Sequence, residues 1–168
     1  LTVVNRGKEP VSIELLAVQQ NAVGVDPNLP PEGRRSAAYG GNVNRIVRER
    51  GLTLISMERP SKPASGTMAL ATPAAGITAI ADCGNVADLL ARFTQGGKIA
   101  SQAAQNVETT PPSLDGTTYD GALALGMRLK PGEARTTTFF LTWHFPGVKH
   151  GGDIEGWTSD GNMYENWW

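Results

Sequence analysis

With 168 residues this chain has room for about one domain with one buried core, and its net charge of −1 offers no field for nucleic acid or an anionic membrane. No apolar run approaches the ~20 residues needed to span a bilayer, and no signal-peptide architecture opens the chain. The single cysteine, Cys83, excludes an internal disulfide and a zinc cluster built on thiolates.

The chain opens on a strand-like run, Leu1 to Val4. A polar turn at Asn5-Arg6-Gly7-Lys8 leads to the alternating run Val11-Ser12-Ile13-Glu14-Leu15, and the two runs read as a hairpin. From Val23 to Asn44 the sequence is rich in Pro, Gly and Asn, which reads as a long loop of the functional or mobile kind. Arg34, Arg35, Arg45, Arg48, Arg50 and Arg59 are interleaved with Glu32, Glu49 and Glu58, the pattern of a solvated mixed-charge surface rather than a basic patch. Leu52 to Met57 reads as a strand, Lys62 to Gly66 as turn chemistry, and Thr67 to Ala71 and Ile77 to Ala81 as two more short strands.

One helix interrupts this pattern, over about residues 86–95. Val86, Leu89, Leu90 and Phe93 fall at i, i+3, i+4 and i+7 and so share a face. Asn85 is placed to cap its start and Gly96-Gly97 to end it. Thr109 to Thr118, with Pro111-Pro112 and Asp115-Gly116, reads as loop. Leu123, Leu125, Met127 and Leu129 then alternate with small or polar residues. Lys130-Pro131-Gly132-Glu133 has Pro and Gly where a type II turn needs them, and the run Thr136 to Trp143 follows, so these two runs read as a second hairpin. Many short strands and a single helix predict a mainly β fold, an antiparallel β-sandwich over residues 1–168.

Eight of the eleven aromatics lie between Phe139 and Trp168. A concentration of that kind builds a corner of the core or meets a partner. The tail also carries Asp153, Glu155, Asp160 and Glu165, residue types that glycoside hydrolysis uses in pairs, but spacing on a Gly-rich loop fixes no geometry and they read as surface acids. His144 and His150 lack the spacing of a metal-binding helix, there is no Gly-X-Ser-X-Gly elbow, and no phosphate-cradling loop precedes the helix. No metal or organic cofactor is therefore expected. Cys83, with no histidine near it in sequence, reads as a small packed residue. Its lone thiol and the absence of an Asn-X-Ser/Thr acceptor fit a reducing, cytoplasmic setting. A chain that begins within a strand pattern and stops on Trp167-Trp168 is expected to be a piece of a longer protein.

A more specific signal comes from Lys130-Pro131-Gly132-Glu133, the strand ending Phe140-Leu141-Thr142-Trp143-His144-Phe145-Pro146, and the later Gly161-Asn162-Met163-Tyr164. Together they resemble the end of the N-terminal β-sandwich of glycoside hydrolase family 116, the non-lysosomal glucosylceramidase and β-glucosidase family. Asn5 to Leu15, the Gln20-Asn21 and Gly24 region, and Gly66 to Leu70 are similar to earlier parts of the same domain. The resemblance implies a retaining β-glucosidase whose catalytic carboxylates sit on a C-terminal (α/α)₆ barrel; no position here matches those motifs. This chain would then be the non-catalytic accessory domain, with that helical domain as its partner and a β-glucoside bound through it, and its sandwich would be incomplete because the family's first strands precede a start like Leu1. Trp143 and Phe145 are expected as core and interface residues, and His144 and Trp157 as the positions nearest a sugar. The alternative is a stand-alone carbohydrate-binding module with Trp157 and Tyr164 as the stacking platform.

Overall fold

The computed structural model describes residues 1–25, 32–62, 66–94 and 107–145. Its elements in chain order are β1 (Thr2–Val4), β2 (Val11–Gln20), β3 (Val43–Glu49), β4 (Leu52–Glu58), β5 (Thr67–Thr72), β6 (Thr78–Ile80), α1 (Val86–Thr94), β7 (Asp120–Leu129), β8 (Ala134–Thr136) and β9 (Phe140–His144). The strands form a four-stranded sheet β3-β4-β5-β9, a three-stranded sheet β2-β7-β6 and the pair β1-β8, every pairing antiparallel and no sheet closed into a barrel.

Alternation along the strands decides which faces meet. In the four-stranded sheet Ile46, Ile55 and Leu70 are register neighbours, as are Met57 and Met68, and all five are buried. In the three-stranded sheet Ala17, Leu123 and Ala79 lie in one row. The two inner faces share one core, in which Val23, Ile55, Met57 and Leu123 are wholly excluded from water. Burying a side chain of this size contributes about 1.5–3 kcal/mol. Gly121 sets how closely the sheets approach, because a Cβ there would stand 3.0 Å from two carbons of Ile55 and 3.2 Å from Cε of Met57.

The opposite face of the three-stranded sheet carries α1. Ala122, Ala124 and Ile80 form the floor, and the small alanines let the helix sit close, with Leu89 buried and Val86 and Phe93 packed at its flanks. Asn85 caps the helix as its position predicts, its Oδ1 accepting from the Ala87 N–H at 2.8 Å. Leu90, expected on the same face, is 46% exposed and lies at the rim of the contact. The Gly96-Gly97 stop lies outside the described residues.

Both expected hairpins are corrected. β1 pairs with β8 and β2 with β7, so Leu1–Val4 and Val11–Leu15 are in different sheets. Asn5 makes the switch. Its backbone exchanges hydrogen bonds with the Lys130–Glu133 turn (Asn5 N to Glu133 O, Gly132 N to Asn5 O, 2.9 Å each), and its side chain donates to Glu9 O and Leu129 O while accepting from Gly7 N. The turn itself forms as expected, with Gly132 at φ 74° and Glu133 N donating to Lys130 O at 3.0 Å. No hairpin follows: β7 pairs with β2 along its length and with β6 at Ala122–Ala124, while Ala134–Thr136 after the turn pair with β1 instead. The run Thr136–Trp143 divides between β8, which joins β1, and β9, which joins β5.

The described part of the long 23–44 loop is firmly held. Tyr39 is buried, Ser36 N donates to Gly116 O, and Gly116 N donates to Tyr39 O. Its end belongs to β3, a strand hidden in the sequence by its arginines and by a buried asparagine.

Three asparagines, each 0% exposed, join the two sheets. Asn21 Nδ2 donates to Asn44 Oδ1 (2.9 Å), and Asn42 Nδ2 donates to Asn21 Oδ1 (3.2 Å) and to Val23 O (2.8 Å). Asn44 Nδ2 reaches Ala81 O at 2.8 Å, while Asn21 Oδ1 also accepts from Val23 N. The backbones of Asn42 and Asn44 are held by the hydroxyls of Ser113 and Thr110. An orphaned buried polar group costs about 1–3 kcal/mol. Asn21→Ala orphans Val23 N and removes a partner from Asn42 and from Asn44, so its expected cost is on the order of 4 kcal/mol, read as a lowered denaturation midpoint. A loss below about 1 kcal/mol would show the network to be dispensable.

Candidate functional site

Two surfaces stand out. The first is β9. Register places Leu141 beside Leu70 and Trp143 beside Met68, on the core side of the sheet, yet they are 45% and 56% exposed. The three-stranded sheet opposite is one strand narrower and leaves them uncovered. Phe140 lies on the other face, in register with Ala71, Leu54 and Val47, and is 46% exposed. Phe139 and Phe145, just outside the strand, pack on the core and pin both ends. Gly66 allows this, since at φ +92° a Cβ there would collide with the His144 carbonyl and the Phe145 ring. Among the described residues no strand pairs with the free edge of β9.

His144 ends β9 opposite Thr67, exposed and on the same face as Phe140. Phe145 is a core-packed residue as expected; Trp143 is not, because nothing in the opposite sheet reaches it. Trp157, Tyr164, His150 and the tail acids Asp153, Glu155, Asp160 and Glu165 lie outside the described residues, so no geometry joins them to His144. Cys83 is buried, and its thiol is pushed up to about 12 by burial first and then by the charges of Asp120 and Asp82, with Arg34 opposing. A thiol so held is inert at neutral pH. No group of metal-ligating side chains occurs among the described residues, nor does any helix there have the length and apolarity to cross a membrane.

The second surface is an open cleft of about 700 Å³ between the 32–35 segment and the start of α1, lined by Gln20, Glu32, Arg34, Arg35, Asn85 and Asp120 among others. Sequence reading had placed Arg34 on a solvated surface and gave Asp120 no role. In the fold Arg34 is clamped: Nη2 lies 3.0 Å from Asp82 Oδ1, Nε donates to Thr118 O at 2.9 Å, and the guanidinium sits 5.6 Å from the Tyr119 ring centroid. Asp120, whose side chain is 6% exposed, has its nearest cation at 3.8 Å from Arg34 Nε. Burial raises its pKa above the usual carboxylate range, and Asp82 adds to this while Arg34 opposes it. Asp120 in turn adds to the burial-raised pKa of the Tyr39 hydroxyl, which has no hydrogen-bond partner among the described residues. The only sequence signal for this cluster was the Asp-Cys and Tyr-Asp pairs at the ends of two strand runs. Neither indicates that the fold joins them. A second hollow, at the 130–133 turn, is ordinary turn surface, with Glu133 committed to Lys130 N and Arg135.

Between the ordinary aspartate pKa and the raised folded value, the folded chain binds more protons than the unfolded one, so raising the pH through that window lowers stability. Asp120→Asn, which cannot titrate, should therefore gain on the native chain as pH rises from acid to neutral, when the two are compared in paired denaturant melts. A gap that is flat or opposite in slope would contradict this environment for Asp120.

Comparison with curated proteins found no match. The family model described as beta-glucosidase 2, glycosyl-hydrolase family 116 N-term, matches residues 1–168. With the antiparallel sandwich and the strand Phe140–His144 in place, the chain belongs to this family and is its N-terminal domain.

Proposed function

We propose that residues 1–168 are a single non-catalytic accessory domain of a larger β-glucosidase or glucosylceramidase-like protein, and that the domain packs through β9 onto the helical catalytic domain. Supporting this reading is the half-exposure of Phe140, Leu141 and Trp143 on a strand whose ends are fixed in the core. Side chains of this kind, held rigid and uncovered, lose little entropy when a partner buries them, and aromatics dominate such contacts. In the same proposal the carboxylates that cleave the β-glucosidic bond belong to the helical domain. His144, at the exposed end of β9, and Trp157 are the residues this reading assigns to contact with the sugar.

The test uses a chromogenic β-glucoside with the 168-residue chain and with the longer protein. Turnover is expected only in the longer protein. There, Trp143→Ala should weaken the joint by on the order of 2 kcal/mol, read as a lowered melting temperature with reduced activity, while leaving the melt of the 168-residue chain unchanged. Turnover by the 168-residue chain alone would overturn the reading. An aromatic surface that binds β-glucan in the 168-residue chain would favour the carbohydrate-binding module instead.

A further inference from the structure

The cleft beside α1 holds a carboxylate in an unusual position. Asp120 has a side chain only 6% exposed and lines the cleft; its backbone carbonyl accepts from Cys83 N, but its carboxylate accepts no hydrogen bond from any described residue. Its nearest cation does not supply one: Arg34 Nε is 3.8 Å away and gives its single proton to Thr118 O. A buried carboxylate normally accepts several hydrogen bonds, and leaving it without them costs stability.

The lining defines what a ligand there can be. Glu32 and Asp120 stand with Arg34 and Arg35, so the lining carries both signs, and Arg34 is already engaged by Asp82. The polar groups are of both types. Asn85 spends its Oδ1 on the helix and keeps its N–H groups, while Gln20 uses Nε2 on Gly33 O at 2.6 Å and keeps its Oε1. Val18 and Val86 supply an apolar strip. A ligand facing both acceptors and donors, beside apolar side chains, is best matched by hydroxyl groups on a carbon ring, since each hydroxyl both donates and accepts. The cleft lies within the usual size range of small-molecule sites.

We propose that this cleft binds a neutral polyhydroxylated small molecule the size of one sugar ring, with Asp120 accepting from its hydroxyls and Arg35, Asn85 and Gln20 completing the contacts. It does so independently of the docking of β9.

Amide-resolved NMR titration of the 168-residue chain with glucose tests this, with inorganic phosphate and putrescine as charged probes. Saturable millimolar shifts are expected at Gly33, Arg35, Val86 and Ala87 with glucose and with neither charged probe. Asp120→Asn and Arg35→Ala should each weaken binding about fivefold or more. Arg35 is an exposed side chain, so the Arg35→Ala spectrum stays dispersed even if the Asp120 variant loses structure. Absence of saturable shifts with glucose, unchanged affinity in Arg35→Ala, or binding of phosphate or putrescine in its place would overturn the proposal.

Discussion

The fold depends on the asparagine cluster at one end of the sandwich. Asn21 follows β2, Asn42 leads into β3 and Asn44 lies within it, and the amides of the three reach the carbonyls of Val23, Val43, Glu58 and Ala81. Apolar contact alone would let two sheets slide over each other, since packing of Ile, Leu and Met is non-directional. Three buried amides with fixed donors and acceptors allow one relative position, because any other leaves polar groups unpaired where water cannot reach them. The same end of the molecule carries the cleft. Gln20 precedes Asn21, Asp82 follows Ala81, and Asp120 follows Tyr119, whose carbonyl accepts from Asn21 N. The network that fixes the sheets thus also fixes the cleft walls.

The two sheets differ in width, and that difference separates the surfaces. Over β2-β7-β6 the outer face is closed by α1, so the second core ends in a capped helix. Over β3-β4-β5-β9, among the described residues, the narrower sheet supplies no fourth strand to face β9, and its core-side residues Leu141 and Trp143 stand half-exposed. An edge strand of this kind is a hazard for an isolated domain, which makes it the natural place for a neighbour. A rigid edge and a polar cleft at the bolted end are therefore products of one architecture.

Much of this was legible in the sequence. The helix and its cap, the turn at Lys130–Glu133 and most strands follow from periodicity and turn chemistry, and the residues around Trp143 carry the family. Strand partners were not legible. Alternation reports which face a side chain takes but not which strand lies beside it, so Val11–Leu15 looked like the partner of Leu1–Val4 when Asn5 sends them to separate sheets. β3 was missed because its Asn44 is depleted in strands generally and is stabilised here only by groups distant in sequence. The Arg34–Asp82–Asp120 cluster was missed for the same reason: it exists only after the ends of β6 and β7 are brought beside the 32–35 segment. His144 fell on the strand that presents the exposed aromatics, while Trp157 lies beyond the described residues.

The most direct test of the account is amide hydrogen exchange across residues 139–145, comparing the 168-residue chain with the longer protein. Docking through β9 predicts that exchange in this segment slows about tenfold or more in the longer protein, with α1 little changed. Equal exchange in β9, with new protection over α1 instead, would contradict it and place the partner on the opposite side of the sandwich.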